Sequence, residues 1–347
     1  MTNDNFSTQL LNWFDQYGRK DLPWQHQPTP YSVWVSEIML QQTQVKTVIP
    51  FYQTFVRHYQ NISSLANASI DDVLSLWTGL GYYARARNLH KTATIIHNDY
   101  DDEMPNSLEA LIALPGIGRS TAGAIMALAH HQYFPILDGN VKRVLARYKA
   151  ISGWPGNKAV EQLLWQHAEQ LLPNNRIAHY IQAQMDLGAT ICTRIKPECE
   201  MCPLHSDCMA FQQGNSQDYP SPKPKKVIPI RKTNWIVAQS GLGEVLLEQR
   251  PNSGIWGGLW SFPEIDTTEN IQHICQHQLN LNTINISVKP HFRHVFSHFK
   301  LDITPHIIQC NNNDNHISEN KNISWYKISD ALRLGLPAPV KSFLKTL

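Results

Sequence analysis

The sequence holds no apolar run approaching the roughly 20 residues that a bilayer-spanning helix needs. Its first residues, Met1 to Gln9, are largely polar and lack the basic-then-apolar order of a signal or transit peptide. An excess of one charge is lacking too, because 30 Lys and Arg face 28 Asp and Glu, a formal net charge of +2. Bulk electrostatics therefore announce no nucleic-acid partner, and any grip on phosphates has to come from local basic patches and aligned backbone dipoles. Cysteine is scarce, six in 347 residues. Without a secretory segment, disulfides are a poor use for those thiols. These absences lead to the expectation of a cytoplasmic protein with no membrane partner; a monomer is expected as well.

Four of the six cysteines are concentrated. Cys192, Cys199, Cys202 and Cys208 stand at C-x6-C-x2-C-x5-C spacing inside seventeen residues. Soft thiolates packed so closely point to a metal, with zinc or an iron–sulfur cluster as candidates. Zinc sites usually show two short C-x2-C arms, and here only Cys199 and Cys202 form one. Cys192 and Cys208 reach in from outside, which suits the wider corners of a 4Fe–4S cube. Zinc and a disulfide knot stand as the alternatives. Cys275 and Cys310 have no partners in sequence and read as buried thiols.

A chain of this length suggests two domains. The seam falls at residues 214–232, where Pro220, Pro222, Pro224 and Pro229 exclude a helix and favour an extended linker. Between Tyr219 and Gly243 there are five basic residues and no acidic one, so the linker is either simply solvated or a tether along phosphates. Before the seam, segments 33–49, 71–97, 108–114, 119–131, 140–150, 158–172 and 176–190 repeat apolar residues at three- and four-residue spacing. After it the period shifts to two: Trp235-Ile-Val-Ala and Glu244-Val-Leu-Leu flank a Gly241-Leu-Gly243 turn, and Phe299, Leu301 and Ile303 alternate. The expected fold is an all-α domain over 1–213 followed by a small α/β domain over 233–347.

Three features of the first domain carry chemistry. Leu114-Pro-Gly-Ile-Gly118 lies between two helical segments; Gly116 and Gly118 allow a tight turn, and the N–H groups opening the next helix point outward as an anion site. Asp138, in Leu137-Asp-Gly-Asn-Val-Lys-Arg143, precedes an amphipathic helix and can cap it. Glu37, in Val35-Ser-Glu-Ile-Met-Leu-Gln-Gln-Thr43, borders a stripe of Trp34, Ile38 and Val45, with Val33 and Leu40 on its own side. A carboxyl in such apolar company has its pKa raised and can act as a general acid near neutral pH.

The cysteine spacing, the hairpin and the L-D-G-N-V-K-R-V stretch together resemble the endonuclease III superfamily of helix-hairpin-helix DNA glycosylases. S-E-I-M-L-Q-Q-T is similar to its adenine-specific, MutY-type branch, and the match runs through residues 8–210. The resemblance implies that the hairpin at 114–118 grips a DNA phosphate, that Glu37 protonates the purine at N7, and that Asp138 stabilises the cation developing at the sugar C1′. Strand-cutting members carry a lysine in the second hairpin helix to form a Schiff base. This chain has Ser120 there, which cannot form an imine; Lys142 is a nearby amine more suited to phosphate. The resemblance further places Trp24, in Leu22-Pro-Trp24, against the extruded adenine and Asp186 at an adenine contact. Gln42 and Tyr82 would wedge into the stack around the opposite base, with Arg85 and Arg87 on phosphates. The cysteine loop 192–208 would hold a 4Fe–4S cluster and, with Arg194 and Lys196, position DNA.

From Trp235 on, the chain resembles the domain that MutY-type enzymes share in ancestry with Nudix hydrolases, most clearly in Gly254-Ile-Trp-Gly-Gly-Leu-Trp-Ser-Phe-Pro-Glu264. The helix that would carry the magnesium-binding carboxylates reads Asn270-Ile-Gln-His-Ile-Cys-Gln-His277, with none. The chemistry of that helix argues against nucleotide hydrolysis and for a recognition platform, and the resemblance implies that Phe296, Ser297 and His298 approach 8-oxoguanine. The implied activity is removal of adenine mispaired with 8-oxoguanine or guanine in duplex DNA, leaving an abasic site. A bifunctional pyrimidine-lesion glycosylase is opposed by Ser120 and the second domain. A non-catalytic iron–sulfur DNA-binding protein would need neither Glu37 nor Asp138.

Overall fold

The computed structural model describes residues 3–224, 227–311 and 322–347. They form two compact units, one of Met1–Asn67 with Asn88–Lys225, the other of Ala68–Arg87 with Lys226–Leu347. No helix among the described residues is long and apolar enough to cross a membrane.

The first unit is helical. Its opening helix, Asn3–Tyr17, is absent from the periodic segments read above, although Phe6, Leu10, Trp13 and Phe14 repeat at helical spacing. That stripe packs into one cluster with Leu145 and Tyr148 of the helix Gly139–Tyr148 and with Tyr180, Ile181 and Leu187 of the helix Ile177–Thr190. Each large side chain fully buried there contributes about 1.5–3 kcal/mol. The segment expected at 33–49 is two helices, Pro30–Leu40 and Val45–His58. Gln42 breaks it, exposed and at φ +56°. The first of the pair starts sharply: Thr29 caps it by accepting from Ser32 N, Ser32 reciprocates, and Pro30 occupies the first turn.

The start of the proline-rich linker packs on this unit. Ser221 exchanges hydrogen bonds with Gly153, Tyr219 O accepts from Arg147, and Lys223 lies over the Trp154 ring. Lys225 and Lys226 lie outside the described residues.

The second unit is an eight-stranded mixed sheet: β1 (Ile230–Gln239), β2 (Glu244–Gln249), β3 (Trp260–Ser261), β4 (Glu264–Ile265), β5 (Thr283–Val288), β6 (Phe292–Val295), β7 (Lys300–Cys310) and β8 (Ile323–Lys327). The main path is β3-β2-β1-β7-β5, with β4 on β1, β6 on β7 and β8 on β2. At its centre β1 runs parallel to β7, and Trp235 to Ala238 are fully buried, as expected of a strand covered on both faces. The expected β1–β2 hairpin forms around Gly243, and Phe299, Leu301 and Ile303 all point inward. The carboxylate-free helix Ile271–His277 covers one face through Ile274 and Cys275, and Cys310 joins the same cluster. Residues 68–87, read from sequence as part of the helical domain, pack with this sheet unit.

Candidate active site

The hairpin begins where the helix Leu108–Ala113 ends and the helix Arg119–Leu128 starts. Gly116 takes φ +80°, and a methyl there would sit 2.8 Å from Asn88 Cβ, so both conformation and space demand glycine. Gly118 is ordinary extended backbone, but it opens the second helix without any side-chain cap and faces open space. The free N–H groups of that first turn are left for an outside acceptor.

Behind the hairpin the second helix carries the segment leading to Asp138. At Gly123 an added Cβ would lie 2.4 Å from Pro135 O, so the chain passes against bare backbone. Ser120 Oγ accepts from Leu137 N at 3.0 Å, which sets the serine beside the aspartate loop. Asp138 caps the next helix, accepting from Val141 N at 2.8 Å and from the Asn140 amide at 3.2 Å. Burial raises its pKa, opposed by these bonds and by the Arg143 charge.

Glu37 is the lone acid of the helix Pro30–Leu40, where Val33 to Ser36, Ile38 and Met39 are buried. Burial pushes its carboxyl up to about 8, and the neighbouring Asp138 charge adds to the shift. Two carboxyls thus stand in different surroundings: one apolar, one held by amides with the Arg143 charge nearby. Such a pair divides into a proton donor and an anion.

A cavity of about 360 Å³ opens beside the preceding residue, Ser36, and is lined by Trp24, Val33, Arg19 and Gln182 among others, with neither Glu37 nor Asp138 on its wall. Trp24 is buried and meets Tyr52 edge to face at 5.3 Å. Asp186 differs from expectation. Its carboxylate is fully buried and spent on Arg19, at 2.7 Å from the backbone N and 2.9 and 2.6 Å from the guanidinium, and on Gln182 at 2.8 Å. It holds two wall residues of the cavity, Arg19 and Gln182.

Three cations expected at phosphates have protein partners in this structure. Lys142 is paired with Glu161 at 2.6 Å. Arg85 is buried, with its pKa lowered to about 10 by desolvation; it donates to Leu80 O and Gly81 O and lies near the Trp77 and Tyr82 rings. Arg87 donates to Gly257 O at 2.6 Å. Both arginines stabilise protein backbone, and Tyr82 itself is exposed at φ +50°.

Cys192, Cys199, Cys202 and Cys208 line one small cavity with Val144, Tyr148, Leu187 and Phe211. Among the described residues, no three His, Cys, Asp or Glu side chains form a group able to hold a metal ion. Burial pushes the Cys202 thiol up to about 12. Two arginines escaped the sequence reading. Arg147, buried, approaches Cys192 Sγ at 3.3 Å and donates to Thr193 O, Ser216 O and Tyr219 O. Arg143 joins Cys192 O and Gly188 O to Asn140 Oδ1, and so links the cysteine loop to the aspartate loop. Their four-residue spacing on one helix was visible, but their partners lie about fifty residues on. A soft, enclosed four-sulfur set with a guanidinium at one thiol fits an anionic iron–sulfur cluster. Arg194 and Lys196 are exposed on the same loop.

In the second unit, Phe296, Ser297 and His298 form the tip between β6 and β7, closed by Phe296 N donating to Phe299 O at 2.9 Å. Phe296 stacks on Phe299 at 4.4 Å and touches Trp256, while Ser297 and His298 are exposed.

A family model described as HhH-GPD superfamily base excision DNA repair protein matches residues 35–170, and one described as NUDIX domain matches 234–346. The chain is 41% identical over 341 residues to the adenine DNA glycosylase of Buchnera aphidicola subsp. Schizaphis graminum, covering 98% of each. To the adenine DNA glycosylase of Homo sapiens it is 36% identical over 357 residues, covering 85% of this chain and 65% of the human protein. Among solved structures, a thermostable thymine-DNA glycosylase aligns with TM-score 0.55 at 28% identity, over 61% of this chain and 97% of that one. Endonuclease III in a non-covalent DNA complex shares the fold at 19% identity, with TM-score 0.53 over 62% of this chain and 98% of that one. The chain belongs to the adenine DNA glycosylase family, a helical base-excision-repair domain joined to a NUDIX domain.

Proposed function

We propose that this enzyme removes adenine mispaired with 8-oxoguanine, or with guanine, from duplex DNA and leaves the strand intact at an abasic site. The observation that carries the reading is Glu37 as the lone acid of a buried apolar helix, where burial raises its carboxyl, near an Asp138 held by the Val141 and Asn140 amides. Adenine leaves the stack at a cost of a few kcal/mol, offset by phosphate and stacking contacts, and enters the cavity beside Ser36 and Trp24. Glu37 gives its proton to purine N7, so the base departs neutral. The glycosidic bond breaks with oxocarbenium character, and the Asp138 carboxylate stabilises the cation at C1′. Water adds at C1′ and its proton returns to a carboxylate. Ser120 beside the Asp138 loop puts a hydroxyl where an imine-forming lysine would stand, and Lys142 is paired with Glu161, which favours a monofunctional enzyme.

Phosphates would be met at the hairpin, where Gly116 and Gly118 lead into the uncapped N–H groups opening the helix Arg119–Leu128. Gln42 and Tyr82 would enter the stack near the opposite base, and Ser297 with His298 would read its N7–H and O8 pattern. Cys192, Cys199, Cys202 and Cys208 would hold a 4Fe–4S cluster, since sulfurs spread around a cavity suit the corners of a cube. When bound, the cluster cross-links the loop that presents Arg194 and Lys196.

An end-labelled duplex with adenine opposite 8-oxoguanine tests the reading. Strand breaks only after alkali are the expected result. Breaks without alkali would indicate a bifunctional glycosylase, and no breaks at all a DNA-binding protein without catalysis.

A further inference from the structure

The roles above leave the segment 68–87 unexplained, although it carries Tyr82. Its helix, Ile70–Leu76, buries Val73 and Leu74, and Trp77 and Leu80 follow them out of solvent. Leu74 lies against Gly335, where an added methyl would come within 2.9 Å of it. Four polar contacts fasten the segment to the C-terminal part of the chain. Ser75 Oγ donates to Arg333 O at 2.5 Å and the Tyr83 hydroxyl to Leu336 O at 3.0 Å. Arg87 donates to Gly257 O at 2.6 Å, and the Gln249 amide to Asp71 at 2.8 Å. The Gly254-to-Trp260 stretch and the loop after the helix Ile328–Ala331 therefore supply three acceptors, and Gln249 of β2 supplies one donor.

Between these anchors the loop is closed from within. Trp77 Nε1 and the Arg85 guanidinium both donate to Gly81 O at 3.1 Å. The same guanidinium lies 5.5 Å from the Trp77 ring and 5.6 Å from the Tyr82 ring. Tyr82 keeps φ +50°, which a tyrosine adopts only where its surroundings impose it, yet its side chain is 48% exposed. An aromatic held out in one pose loses little freedom when it stacks on a base.

We propose that the second domain acts on the opposite base a second time, by fixing the pose of Tyr82 through Ser75, Tyr83 and Arg87. This rests on the reading of Tyr82 as a residue that enters the base stack. Ser75 and Tyr83 are then positioning residues that touch no DNA themselves. The test is the double variant Ser75→Ala/Tyr83→Phe, made in the parent and in a Tyr82→Leu background. The readout is affinity for a duplex carrying a non-cleavable adenine analogue opposite 8-oxoguanine.

In the parent, losing two neutral hydrogen bonds should weaken binding by about tenfold. In the Tyr82→Leu background the same change should matter by less than about twofold, because the residue through which it acts is gone. An equal loss in both backgrounds, or no loss in the parent, overturns the proposal. If Tyr82→Leu alone leaves affinity unchanged, the reading of Tyr82 falls and the positioning role with it. A loss with Tyr82→Leu but none with the double variant removes only the positioning role. Tyr83→Phe alone, which deletes one oxygen, keeps the test available if the double variant is unstable.

Discussion

Glu37 costs the fold stability in exchange for a usable proton. Its carboxyl is pushed from the usual 4.5 up to about 8, so the native state binds the proton more tightly than the unfolded chain does. Below about pH 4.5 both states are protonated and the carboxyl makes no difference; between 4.5 and 8 the native state loses stability as pH rises. Glutamine copies the protonated form and does not titrate. Glu37→Gln should therefore be more stable than the parent at pH 8 and indistinguishable at pH 4, as thermal denaturation at both values would show. The same variant should release adenine about 10²–10⁴-fold more slowly at pH 7, the usual loss for a general acid. In the parent, release should fall as pH rises past about 8 and Glu37 ionises, and fall again on the acid side as Asp138 gains a proton. A stability gain that is the same at pH 4 and pH 8 would mean that Glu37 is solvated and unperturbed.

At the level of elements, the hairpin and the aspartate loop act as one piece, joined by the Ser120 to Leu137 bond and the close pass at Gly123. Ser120→Lys would forfeit that bond, at about 0.5–1.5 kcal/mol. It would also bring an amine beside the loop that carries Asp138. Strand nicking without alkali, with an adduct trapped by borohydride, is the expected gain; absence of any adduct would mean that position 120 does not border the sugar. Much of this piece was legible, because turns, caps and cysteine spacing are local signals. Glu37 was legible for the same reason, as a single charge among apolar neighbours on one helix. What escaped depends on partners distant in sequence. Asp186 looked available, but Arg19 takes it up from 167 positions away. Arg85 and Arg87 looked like phosphate ligands, and backbone carbonyls of folded loops claim them. The break at Gln42 sits inside a helical period that carries no proline or glycine to mark it.

For the whole molecule, the proposed division of labour puts chemistry in the helical unit and the reading of the opposite base in the sheet unit. The seam seen in sequence lies at the prolines, yet residues 68–87 belong with the sheet. Truncation after residue 224 would strip cover from Leu74 and remove the acceptors for Ser75, Tyr83 and Arg87. Point changes at the β6–β7 tip are the cleaner probe, since Ser297 and His298 are exposed and Phe296 with Phe299 holds the turn without them. The most direct measurement is the ratio of single-turnover adenine release on 8-oxoguanine and guanine duplexes, in the parent and in Ser297→Ala/His298→Ala. We expect the parent to prefer 8-oxoguanine and the variant to lose about 1–3 kcal/mol of that preference, the size of one readout contact. An unchanged ratio would contradict the account and assign opposite-base recognition to Gln42 and Tyr82 alone.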